Sequence, residues 1–127
     1  MDTWELTDEE MNSVLAECME RTFDYFVGKV ADWGQVWVLA KPPHELAMIE
    51  SDRPALAVWP HQRYAEACRV RNWADYEPHF VELDNFLEAT LPEAEEQGHI
   101  IAILHSAETQ RHVTVPPDEL RQVLEQH

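Results

Sequence analysis

The chain is poor in the residues that build the familiar cofactor and redox sites. It has two cysteines, Cys18 and Cys68, and no Cys-x-x-Cys pair. That excludes the usual dithiol and zinc-ribbon patterns, and both thiols are expected to be small apolar core residues in a reducing compartment. Its three glycines, Gly28, Gly34 and Gly98, open no phosphate-binding fingerprint. There is no Gly-x-Ser-x-Gly elbow, and the three serines, Ser13, Ser51 and Ser106, fall in helix or loop contexts. No apolar run reaches the roughly 18 residues that a membrane-spanning helix requires. Residues 1–5 are acidic and lack the apolar stretch of a secretory signal, so a cytoplasmic location is expected.

Positive charge is the scarcest commodity. Nine Lys and Arg stand against 25 Asp and Glu, a formal net charge of −16, and Lys29 and Lys41 are the only lysines. Such a field repels phosphate backbones, so direct nucleic-acid binding is not expected. It would speed encounter with a basic partner, and it would equally keep a protein dissolved in a salty cytoplasm. The 127 residues, 45% of them hydrophobic, suffice for a single domain with one core.

What is present is organised around residues 55–68. Ala55 to Trp59 is a short apolar run, as in a strand covered on both faces. Pro60 cannot extend a sheet ladder but suits the first turn of a helix. His61, Tyr64, Ala65 and Cys68 then share one helical face, with Gln62, Arg63, Glu66 and Arg69 on another. Trp59, Pro60, His61 and Arg63 are thereby presented at a strand-to-helix corner, a common place for binding. The same Trp-Pro pair serves equally as a packing wedge, and His61 as a hydrogen-bonded structural histidine.

Before the corner, Thr7 and Glu10 form a capping box in front of a helical stripe. Its positions Met11, Val14, Leu15, Cys18 and Met19 continue into Phe23, Phe26, Val27 and Val30 and stop at Gly34, as one long helix or two abutting ones. Strands are expected at 35–40, 46–50 and 55–59, with turns at 41–44 and 51–54. Beyond the corner come an irregular aromatic segment containing Trp73 and Tyr76, a strand at 79–83 and a helix from Asp84 kinked by Pro92. A central strand at 100–104, a polar hairpin loop, a strand at 112–115 and a final helix complete the chain. The expectation is an α+β single domain over residues 1–127, with helices packed on one mainly antiparallel sheet of about 5–6 strands in the order α-β-β-β-α-β-α-β-β-α.

No catalytic set emerges. Cys68 and His61 lie nearly two helical turns apart, roughly 10 Å along the axis, too far for a dyad. The seven histidines include no helical metal-binding pair, although His105 and His112 flank a hairpin loop and could face each other across it. Neither a metal nor a cofactor is expected.

Several stretches also match a known pattern. Val30-Ala31-Asp32-Trp33-Gly34-Gln35-Val36-Trp37, Val58-Trp59-Pro60-His61 with Ala65, Trp73, Asp84 with Phe86-Leu87, and Leu91-Pro92 resemble the bacterial domain-of-unknown-function family 2750. The resemblance covers residues 21–127 and leaves 1–20 as an N-terminal helical extension. It implies a small bacterial cytoplasmic protein and carries no activity with it.

The expected function is therefore non-enzymatic binding of a protein or peptide, basic in character, by the corner of Trp59, Pro60, His61 and Arg63, together with Trp73 and Tyr76. That reading requires Trp59 or Trp73 to be exposed beside His61. The alternatives are an acidic immunity-type protein that neutralises a basic partner, and a small enzyme whose pocket joins His61 to a carboxylate such as Glu82 or Asp84.

Overall fold

A computed structural model describes residues 4–42, 45–50 and 52–127. The expected turn positions Pro43, His44 and Ser51 lie outside the described residues.

The N-terminal stripe forms two helices, α1 (Asp8–Leu15) and α2 (Met19–Trp33). Thr7 caps α1, its hydroxyl accepting the Glu10 N–H at 3.2 Å. The Glu10 carboxylate does not return to the cap but accepts the Tyr25 hydroxyl at 2.7 Å, tying α1 to α2. The break at 16–18 turns Cys18 outward as the N-cap of α2, so it is exposed rather than part of the core, as the stripe suggested. Only Cys68 is buried. α2 buries Phe26, Val27 and Val30 and ends at Gly34, whose φ of 68° is the left-handed geometry glycine permits without strain.

Strand β1 (Gln35–Lys41) pairs antiparallel with β2 (Glu45–Leu46) and with β5 (Glu77–Glu82). A second group runs β3 (Met48–Ile49), β4 (Ala55–Val58), β6 (Ile100–Ile103) and β7 (Val113–Val115). Within it, β4 and β6 are parallel and the other pairings antiparallel. The expected returning strand at 46–50 is thus split between the two groups. Ala47 is the pivot: its N–H donates to the Leu39 carbonyl at 2.8 Å, and its own carbonyl accepts the Ala57 N–H at 3.2 Å. The groups also meet where Trp37 and Trp59 exchange two backbone hydrogen bonds of 2.7 and 2.9 Å. The single sheet of the sequence reading is therefore two sheets of three and four strands joined at these points.

Helix α3 (Gln62–Ala67) follows β4 closely, and a 3-10 turn (Arg71–Trp73) leads to β5. Residues 83–96 are one helical rod: α4 (Leu83–Asn85), a π-helical stretch (Phe86–Thr90) and α5 (Leu91–Glu96). The anticipated Pro92 kink takes this form because the ring lacks an N–H and crowds the carbonyl four residues earlier, and a wider turn relieves both. α6 (Pro117–Gln126) packs Leu120 and Leu124 inward. The core centres on Val58, Trp59, Ile101 and Ile103, each 0% exposed. No described helix is long and apolar enough to cross a membrane.

Candidate functional site

The strand-to-helix corner forms where expected, but it is closed. Trp59 is 0% and His61 6% exposed, and Pro60 is buried as well. Pro60 also lies outside the helix, two places before its first residue Gln62, not in the first turn as the sequence suggested. His61 is the N-cap of α3, its Nδ1 accepting the Arg63 N–H at 3.0 Å, so the proline precedes the cap. The His61 Nε2–H donates to the Trp4 carbonyl at 2.7 Å. With both ring nitrogens engaged by backbone, and burial pushing its pKa down, His61 is a neutral structural histidine. Glu82 and Asp84, the carboxylates considered for it, line a separate shallow recess with Trp33 and Phe80.

The N-terminal segment covers the His61 and Arg63 end of the corner. Trp4 and Leu6 are buried while Glu5 and Thr7 are exposed, the alternation of an extended strip. The Trp4 ring meets His61 edge-on at 4.9 Å, and the Lys29 ammonium lies 4.4 Å from its centroid. Arg63, exposed along its side chain, donates to the Leu6 carbonyl and pairs with Asp8. The expectation of an exposed Trp59 beside His61 is therefore corrected: contacts from residues 4–8 cover His61, and Trp59 is buried against Trp73 and the His105 carbonyl.

Trp59 also forms a partition. Its indole N–H donates to the His105 carbonyl at 3.0 Å, and its ring meets Trp73 edge-on at 6.2 Å. Beyond it lies an open pocket of about 530 Å³. Trp73 and Tyr76, both half-buried, line it, so two of the six nominated residues stand in a cavity while Trp59, Pro60, His61 and Arg63 do not. Glu45, Leu46 and Glu50 from around the split strand line the pocket as well, with Cys68, His105, Val70, Arg71 and Gln110. Leu46 and Val70 are exposed large apolar side chains, 39% and 45% accessible, and both belong to this pocket.

The electrostatics favour a cation. Two carboxylates, Glu45 and Glu50, and one guanidinium, Arg71, line the pocket, and Arg71 already donates to the Ala107 carbonyl at 3.4 Å. The Tyr76 hydroxyl donates to Glu45 at 3.2 Å and orients that carboxylate. His105 adds no charge at neutral pH, because burial and its neighbour His112 push its pKa down to about 4. The two imidazoles do face each other across the loop, with Nδ1 atoms 3.1 Å and ring centres 5.2 Å apart. Those distances set the nitrogens head to head, the geometry of one shared proton. Cys68 donates its thiol to the His105 carbonyl at 3.1 Å, and burial raises its pKa to about 11, so it is no nucleophile.

Backbone strain gathers at the same place. Arg71, Leu104 and Gln110 are the described non-glycine residues with positive φ, at 55°, 53° and 60°. Arg71 and Gln110 line the pocket, and Leu104 precedes His105. Each such conformation costs on the order of 1–3 kcal/mol and gathers preferentially at functional sites.

The model of a family described as a protein of unknown function (DUF2750) matches residues 23–124. The chain belongs to that family. No curated protein matches it. The DUF2750 span includes the pocket walls, Tyr25, Lys29, His61 and Arg63; residues 4–8, which cover the His61 end of the corner, lie outside it.

Sequence reasoning missed Glu45, Glu50, Cys68, Arg71 and His105 as pocket residues. Proximity to Trp73 and Tyr76 was the available signal for Arg71. The wall of Glu45 and Glu50 depends on the strand splitting at Ala47, which alternation alone does not reveal.

Proposed function

We propose that this DUF2750 protein is a non-enzymatic binding module whose pocket takes a basic side chain from a protein or peptide partner. The observation that carries the reading is the pocket of about 530 Å³, which the aromatic Trp73 and Tyr76 line together with the carboxylates Glu45 and Glu50. Its size is that of a ligand site. An aromatic face and a carboxylate together suit an ammonium or guanidinium on an apolar stem, through cation–π attraction and ion pairing. Leu46 and Val70 offer that stem apolar contact. The net charge of −16 draws such a partner in and suppresses acidic competitors.

The test is calorimetric titration with Lys/Arg-rich and matched Asp/Glu-rich peptides, on the native chain and on Trp73→Ala and Glu50→Gln. Binding of the basic set alone, weakened at least about tenfold by either substitution, is the expected result. Equal affinity for both sets, or indifference to both substitutions, would refute it. The charge also favours a more specific version, an immunity-type protein neutralising a basic target. In that case affinity falls steeply between low and physiological salt.

A further inference from the structure

We infer that the closed corner is a second recognition site, for an extended segment bearing an aromatic, an aliphatic and an acidic residue at alternate positions. In this chain residues 4–8 occupy it as a self-ligand. The contacts are those of a peptide on a receptor. Trp4 and Leu6 are anchors at 6% and 4% exposure, and Asp8 supplies the carboxylate. The receiving face reads main chain as well as side chain: His61 donates to the Trp4 carbonyl and Arg63 to the Leu6 carbonyl. In a protein with nine basic residues, Lys29 and Arg63 both bear on these five positions, so the face is locally positive and suited to an acidic strip.

Two further observations mark the occupant as displaceable. The Trp4 indole N–H is buried with no hydrogen-bond partner among the described residues, a destabilising feature of this particular occupant. The helix that follows, α1, fully buries none of its residues and joins α2 through the break at 16–18. The receiving residues lie inside the family span and the occupying ones outside it. The partner is accordingly a protein segment with the Trp-x-Leu-x-Asp arrangement, competing with the arm in cis. A tethered arm acts at an effective concentration in the millimolar range, so displacement needs a better-paired segment or an arm already released.

The test uses the full chain and a peptide copying residues 1–10. In Trp4→Ala/Leu6→Ala the face is vacated, and the peptide binds saturably, at least about tenfold tighter than to the native chain. Adding Arg63→Gln abolishes that binding, as does Asp8→Lys in the peptide. Trp73→Ala, in the separate pocket, leaves it unchanged, which keeps this result independent of the proposed basic-ligand site. A folded double variant that fails to bind the peptide overturns the inference, and so does sensitivity to Trp73→Ala. Should the double variant not fold, hydrogen exchange on Arg63→Gln decides. Amides of residues 4–15 exchanging at least about tenfold faster, with the β4 and β6 amides unchanged, supports a releasable arm. Uniform acceleration of arm and sheet overturns it.

Discussion

The head-to-head pair of His105 and His112 makes a quantitative prediction about acid. Both imidazoles titrate below the ordinary value of 6.5, His105 at about 4 through burial and the neighbouring His112, and His112 through burial. In the unfolded chain each returns to the ordinary value, so between those limits the unfolded state binds more protons. Stability is present above pH 6.5 and is lost as pH falls towards 4. Taking His105 alone, linkage between pH 7 and pH 5 removes about 2 kcal/mol, and the fall in His112 adds to it. The assay is urea denaturation at the two pH values, on the native chain and on a His105→Gln/His112→Gln variant. The difference in slope is the observable, so the variant's own change in stability cancels. The native chain should lose at least about 2 kcal/mol more than the variant over that interval. Equal losses would refute the assignment of two neutral imidazoles, one buried and one half-buried, sharing a proton.

Trp59→Ala removes an indole that is 0% exposed and one of the two donors to the His105 carbonyl, leaving it the Cys68 thiol, so it should cost roughly 3–5 kcal/mol in denaturant unfolding. Trp73→Ala, half-buried at the pocket, should cost less than half as much by the same measure. The two cysteines should separate under a thiol reagent: Cys18 reacts in the native state and Cys68 only on unfolding, as counted by mass spectrometry. Gly34→Ala places a Cβ at φ 68° and should destabilise by about 1 kcal/mol, read as a lower thermal midpoint.

Much of the fold was legible because its signals are local. Thr7, Gly34, Pro92 and the apolar run at 100–103 each act within a few residues, and each ends or starts an element near the expected place. The candidate site was legible only in part. Trp73 and Tyr76 stood out as aromatics in an irregular segment, and His105 and His112 as neighbours across a loop. What escaped depends on contacts between distant parts of the chain. Trp4 reaches His61 across 57 positions and covers it, and Trp59 is closed in by His105, 46 positions away. The turn at 16–18 rotates Cys18 out of a stripe whose spacing pointed inward. The positive φ of Arg71, Leu104 and Gln110 has no composition signal, because none of the three is a residue that favours it.

The most direct examination of the basic-ligand pocket is a two-dimensional amide NMR titration with a Lys/Arg-rich peptide at low salt. Shifts concentrated at residues 45–50, 70–76 and 105–110, with the Trp73 indole N–H among the largest, are what the pocket predicts. Saturable binding whose shifts fall elsewhere, or no shifts at millimolar peptide, would contradict it.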